Sequence, residues 1–289
     1  MILKFINEKD VPVNLLFFLQ KENGVSKRLI TKLKRQPMGI TCGGKLIRTV
    51  DEVPPGGEVC LDISDENEIP ANGELNVPVV FENDSVIVFD KPQGMPVHPS
   101  MNHYEDTLGN YFSFLHPELT FRPVNRLDRN TSGLCVVAKN QHSAAFLQRA
   151  VKKVYYAVIC GRPESDTGRI DAPVKRQTES LITRCVSPDG QRAVTNYTVL
   201  SSCGKYSYVK VDLETGRTHQ IRVHFSHIGH PLAGDDLYGG NCEDATGQTL
   251  HCGEVSFPDE NGNILSFKSE PGENIQYIFR KYDFKEIRL

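Results

Sequence analysis

The sequence predicts an α+β protein with a mixed, mainly antiparallel central sheet and flanking helices, preceded by a small α/β module. Three observations lead there. The first sixty or so residues mix two helical patterns with short strands, and an acidic, Pro- and Gly-containing stretch without hydrophobic period follows. Beyond it, strand patterns succeed one another with few helices between them, the order of an α+β domain. A chain of 289 residues has room for one large and one small unit. The expected boundaries are 13–63 for the module, 64–78 for a linker and 79–289 for the large domain.

In the module, Leu15, Leu16, Phe18 and Leu19 fall at helical spacing, and a second helix is expected from Ser26. Lys27, Arg28, Lys32, Lys34 and Arg35 crowd within nine residues there, as a solvated face or a stripe for phosphates. Gly43-Gly44 marks a tight turn between two short strands. In the large domain, Val79-Val80-Phe81 and Val86-Ile87-Val88-Phe89 flank the turn Glu82-Asn83-Asp84 as a hairpin. Residues 134–138 form a continuous apolar strand. A helix after Asn140 sets Ala144, Leu147 and Val151 on one face. Strands are expected at 155–159, 193–199 and 206–213, a helix at about 218–228, and a closing strand region over 253–267.

Composition narrows the class of function. Hydrophobic residues at 39% and charged residues at 24% fit a globular chain and argue against a disordered or collagen-like one. No run of about 18 apolar residues suggests a membrane span, and the charged first ten residues do not resemble a secretory signal, so a cytoplasmic monomer without membrane attachment is expected. Eight dispersed cysteines without a CxxC pair read as reduced thiols rather than a zinc or redox centre. A net charge of −3 is unfavourable for a polyanionic partner unless the cations cluster.

Three segments could carry chemistry. In 122–133, Asp128 is bracketed by Arg122, Arg126 and Arg129, then followed by turn formers and a buried strand. Neighbouring guanidinium groups would keep such a carboxylate ionised as a nucleophile or base, although an Asp in this setting also serves as an ordinary turn or ion-pair residue. In 213–235, a helix starting near Thr218 would turn Ile221, Phe225 and Ile228 to the core, with His219 and Arg222 sharing a face toward an open site. His219, His224, His227 and His230 crowd there, as a metal site or as polar-core or RNA-facing histidines; without nearby Cys or a clear carboxylate partner, no metal is expected. The rigid Pro/Gly loop 90–99 would shape a pocket or simply connect elements.

These segments resemble one known family. Asn125-Arg126-Leu127-Asp128-Arg129-Asn130-Thr131-Ser132-Gly133-Leu134 is similar to the HRLDRxTSGL signature of the RluA family of RNA pseudouridine synthases. Residues 213–224 resemble its LxTGRTHQIRVH segment, 230–239 its HPxxGDxxYG segment, 153–157 its KxYxA strand and 91–99 its KPxGxxVHP loop. The five motifs keep the family's order. Residues 13–63 are similar to the S4-type RNA-binding module that often precedes this domain. One departure is Asn125 where the signature has His, from which altered local hydrogen bonding and intact chemistry are expected.

The resemblance implies the pseudouridine synthase fold and a cofactor-free isomerase acting on ribosomal or transfer RNA, the amino-terminal module favouring a structured ribosomal RNA. The bond from C1′ to N1 of uridine breaks and one from C1′ to C5 forms, after the nucleotide has been flipped into a pocket. It further implies that Asp128 either adds to the sugar or abstracts a sugar proton, that Tyr155 stacks on the base, and that Arg222 pairs with the carboxylate. Arg126, Thr131, Val223, His98, Arg129 and Arg217 are the implied substrate contacts, and Lys27, Arg28, Lys32, Lys34 and Arg35 the contacts to a distal RNA element. Two other readings are an RNA chaperone of the same fold and an RNA glycosidase. The latter would need a second carboxylate or a placed water.

Overall fold

The computed structural model describes residues 2–63, 69–177, 182–282 and 284. Residues 64–68 of the expected linker lie outside them.

The amino-terminal unit has its own core. Strands Ile2–Ile6, Glu58–Asp62, Ile40–Cys42 and Lys45–Leu46 form a small antiparallel sheet in that order. Its first strand precedes the boundary read from the sequence, because Ile2–Ile6 pairs residue by residue with Glu58–Asp62. Gly43 and Gly44 both have positive φ in the tight turn between two of the strands. Leu15, Phe18 and Leu19 come from a helical turn Leu15–Phe17 that widens into a π-helix over Phe18–Glu22, and they meet Leu29, Ile30 and Leu33 over the sheet residues Ile40, Val59 and Leu61. Leu16 turns outward. Ser26 caps helix Lys27–Leu33 by accepting from the Leu29 amide at 3.2 Å. Since the helix buries its leucine and isoleucine face, Lys27, Arg28, Lys32, Lys34 and Arg35 are all exposed.

The described part of the expected linker is tied down. Asn110 donates to the Pro70 carbonyl at 2.8 Å, Asn72 donates to that of Glu105 at 2.8 Å, and Val77 is buried in the large core.

Among the described residues the large unit is built on one ten-stranded sheet. Its main path runs Thr167–Asp171, Val194–Ser202, Tyr206–Leu213, Lys152–Cys160, Leu250–Pro258, Ser132–Ala138, Val86–Lys91 and Val79–Glu82. Ile264–Lys268 and Arg122–Pro123 pair alongside. The contact of Ser132–Ala138 with Leu250–Pro258 is parallel and every other pairing is antiparallel. Ser132–Ala138 is buried along its whole length, as its unbroken small and apolar run requires. The hairpin, the helix Gln141–Ala150 capped by Asn140, and the long strands match the sequence pattern.

Helices Leu108–Leu115 and Glu273–Lys281 did not emerge from the sequence pattern. The first contains Gly109 and Asn110, poor helix formers, and is set by a capping box between Thr107 and Asn110. The second exposes most of its length and buries only Ile275 and Ile278; it is anchored through Asp244, which pairs with Lys281 and accepts from Tyr206 and Tyr282.

One glycine decides how the sheet closes behind the Asp128 turn. Gly133 has φ of +101°, and a β-carbon there would lie 2.4 Å from the Cys252 carbonyl oxygen of the parallel neighbour. Gly133→Ala is therefore expected to cost about 3 kcal/mol, combining a disallowed backbone angle with a forced separation of strands. Chemical denaturation that finds the variant within about 0.5 kcal/mol of wild type would contradict this reading.

Candidate active site

The turn that carries Asp128 is closed by the Thr131 amide donating to the Asp128 carbonyl at 3.0 Å. Thr131 is buried, and its hydroxyl accepts from Gln248 at 3.2 Å. Upstream, the buried amide of Asn125 works as a strand edge: it accepts from the Val136 amide at 2.8 Å and donates to the Leu134 carbonyl at 3.0 Å. The turn is thus locked to the central strand on both sides, with the Asp128 side chain about one quarter exposed at its tip.

Opposite stands helix Gln220–His227. Gln220 fixes its start, accepting from Thr215 and from the Arg217 amide while donating to the Val194 carbonyl and the Thr195 hydroxyl. The helix begins two residues later than the pattern suggested, because His219 adopts a left-handed conformation, φ +57°, and caps it. Arg222 departs from expectation as well. It does not face an open site but is buried, which its charge tolerates only because two carboxylates meet it. Its Nε and Nη2 donate to Asp235 at 2.7 and 2.8 Å, and its Nη1 donates to Asp128 Oδ2 at 3.1 Å. The guanidinium lies 4.9 Å over the Tyr238 ring. Burial pulls the Arg222 pKa down, but the hydrogen bonds and charge of Asp235, followed by those of Asp128, outweigh it and raise the value.

Tyr155 sits where strand Lys152–Cys160 passes a bulge: Val154 pairs with Glu254 and Tyr155 with Cys252, so that Gly253 is skipped. The phenol is buried. That burial, with smaller effects from Cys252 and from the charge of Asp128, pushes its pKa well up, so it remains protonated near neutral pH. Lys91 is fully buried, and its ammonium donates to the carbonyls of Pro92, Met95 and Arg129 at 2.8, 2.7 and 3.2 Å. It staples the 91–99 loop to the Asp128 turn, a junction reinforced by the Gly94 amide donating to the same Arg129 carbonyl.

The other expected site residues are dispersed. Arg126 is exposed, and its charge acts on His98, itself exposed and edge-on to Phe121 at 4.9 Å. Arg129 is exposed and contacts His103, which pairs with Asp106. Arg217 donates to the Arg192 carbonyl at 3.2 Å. Val223 packs in a small cluster with Val174, Ala193 and Tyr238. The histidines do not converge: His224 bonds Thr195 and the Ala172 carbonyl, and His230 the Cys160 carbonyl. Among the described residues no three metal-ligating side chains come together, and all eight cysteines are free.

Three residues of the site were given no role by the sequence, Lys91, Asp235 and Tyr238, and His219 was placed toward the site without a partner. All lie inside the family-like strings, so the signal was present, but only the contacts reveal what each one touches.

The sheet has the pseudouridine synthase fold. Human RNA Pseudouridylate Synthase Domain Containing 1 superposes with a TM-score of 0.58 at 25% identity, covering 70% of this chain and 86% of that one. Human RNA Pseudouridylate Synthase Domain Containing 4 shares the fold at 0.60 and 23%, over 73% and 94%. The RNA pseudouridylate synthase family profile matches residues 85–227. The uncharacterized RNA pseudouridine synthase YjbO of Bacillus subtilis is 36% identical over 82% of this chain and 87% of its own. Ribosomal large subunit pseudouridine synthase D of Pseudomonas aeruginosa is 38% identical over 70% and 66%. The chain belongs to the RNA pseudouridylate synthase family, as an isomerase of the RluA/RluD type acting on RNA.

The lysine staple has a measurable consequence. Lys91→Met removes the donor of the Pro92 and Met95 carbonyls, leaves that of Arg129 with the Gly94 amide alone, and is expected to cost about 2–3 kcal/mol. Burial lowers the Lys91 pKa to about 8 from an ordinary 10.5, so between those pH values the unfolded chain binds the extra proton. Wild-type stability relative to the Met variant therefore rises with pH across that window and is level below it. Urea unfolding from pH 7 to 10 that finds a constant gap would refute the assignment.

Proposed function

We propose that this chain isomerises uridines in structured ribosomal RNA, with Asp128 as the reacting carboxylate. The observation that carries the reading is the line Asp235–Arg222–Asp128, in which a buried guanidinium is fixed on one side by a saturated carboxylate and grips the partly exposed one on the other. Asp128 either adds to C1′ or removes a sugar proton as the C1′–N1 bond breaks. The freed uracil turns and C5 bonds to C1′, expelling the Asp128 oxygen in the first route or with Asp128 returning the sugar proton in the second; the C5 proton is lost and N1 gains one, so atoms balance without redox change or hydrolysis. The target must leave its stack to reach this turn, and Arg126, exposed two residues before Asp128, would fill the gap or hold a phosphate. Tyr155 offers its ring to the flipped base; held protonated, its hydroxyl acts as a hydrogen-bond donor and not directly as a base.

A glycosidase reading loses support from the same geometry. The second carboxylate nearby, Asp235, is fully buried with both oxygens taken by Arg222, so it has no room to place a water. Ribosomal RNA is favoured by the name of the large-subunit relatives. The amino-terminal unit, read as S4-like, would hold a distal RNA element through its exposed basic helix; Lys27, Arg28, Lys34 and Arg35 have no ion-pair partner among the described residues.

Asp128→Asn is expected to reduce pseudouridine formation in a large-subunit ribosomal RNA transcript on the order of 10³-fold or more, leaving RNA affinity within a few-fold. Turnover near the wild-type rate would remove Asp128 from the chemistry. For the basic helix, exchanging Lys27 and Arg28 for Ala is expected to lower the slope of log affinity against log salt by about 1 to 2, with a uniform loss across RNA sequences. An unchanged slope assigns RNA binding elsewhere.

A further inference from the structure

Both partners of Asp128 approach the same oxygen. Arg222 Nη1 donates to Oδ2 at 3.1 Å, and His219 Nε2 stands 3.6 Å from Oδ2. Among the described residues no hydrogen bond reaches Oδ1. His219 is placed for this at a conformational cost. Of the non-glycine residues with positive φ, Met38, Asn102 and His219, it alone has a buried ring, 8% exposed, and an ionisable partner. Strained backbone persists where the surroundings over-determine it, which is common at functional positions.

Tyr238 sets which ring nitrogen carries the proton. Its hydroxyl oxygen accepts from the Arg184 amide at 2.9 Å and lies 2.8 Å from His219 Nδ1. Among the described residues Nδ1 is the one acceptor for the phenol hydrogen, so the hydroxyl donates to Nδ1 and leaves hydrogen on Nε2, directed at Asp128. We propose that His219 is a positioning residue, whose Nε2–H closes on Asp128 Oδ2 beside Arg222 when the nucleotide is bound and so reserves Oδ1 for the sugar. The present separation is a few tenths of an ångström beyond hydrogen-bond reach, the kind of contact that tightens in a substrate complex. The charged groups facing the imidazole are Asp128, Arg222, Arg184 and Asp235. Burial, the largest influence, lowers its pKa; Asp128 opposes this, Arg222 and Arg184 add to it, Asp235 opposes it, and the net value lies below the ordinary one. The ring is therefore neutral near pH 7, with a single N–H to direct.

The inference rests on Asp128 being the reacting carboxylate, and the test separates the two. Two variants of equal backbone strain, His219→Gln and His219→Leu, differ in whether an N–H donor remains. Turnover is read as tritium release from ribosomal RNA labelled at uridine C5, beside wild type and Asp128→Asn. The Leu variant is expected to lose at least tenfold in kcat with KM within threefold, and the Gln variant to stay at least fivefold faster than Leu. Tyr238→Phe, which removes only a hydroxyl, guards against misfolding and is expected to lower kcat about threefold or more at unchanged KM. Equal kcat in the Gln and Leu variants, full activity in Tyr238→Phe, or a loss confined to KM overturns the proposal. An active Asp128→Asn overturns instead the role of Asp128.

Discussion

A guanidinium with three nitrogens committed to two carboxylates is the constraint on which this site depends. Arg222 lies inside the protein, where an unpaired charge would be prohibitive, and the fully buried Asp235 makes it tolerable with two short bonds. Only then is Nη1 left at a fixed place for Asp128. The order of dependence runs one way: Asp235 fixes Arg222, Arg222 fixes Asp128, and of the three only Asp128 reaches solvent. In the role proposed for it, a carboxylate held like this would lose little freedom at the moment of reaction, which is how preorganisation lowers a barrier.

The scaffold supports the same end. Asn125 stitches the Asp128 turn to the central strand with both amide groups, where the family signature carries His. Lys91 binds the adjoining loop to the turn from below, so that the two segments move as one. Gly133 lets the central strand approach its parallel neighbour closely, directly after the turn.

Much of this was legible beforehand where local chemistry decides. The hairpin around Asn83, the Asn140 cap and the unbroken apolar run of 134–138 follow from spacing and turn formers. Helix Leu108–Leu115 was not legible, because Gly109 and Asn110 speak against it and its tie to the Pro70 carbonyl comes from elsewhere in the fold. The left-handed His219 was hidden for the same reason. Its partners Tyr238 and Asp128 are far along the chain, and no local propensity favours the conformation it adopts.

The residue strings alone determined the family resemblance, the α+β class, and Asp128, Tyr155 and Arg222 as the residues to look for, since each is carried by a short motif. Tertiary structure alone decided that Arg222 is buried between two carboxylates, that Asp235, Tyr238 and His219 surround it, and that Thr131 and Val223 pack inside while Arg126 and His98 stay at the surface. Motifs record which side chains are present. Charge pairing and burial depend on what lies opposite in space, and the groups opposite Asp128 come from about ninety residues further along the chain.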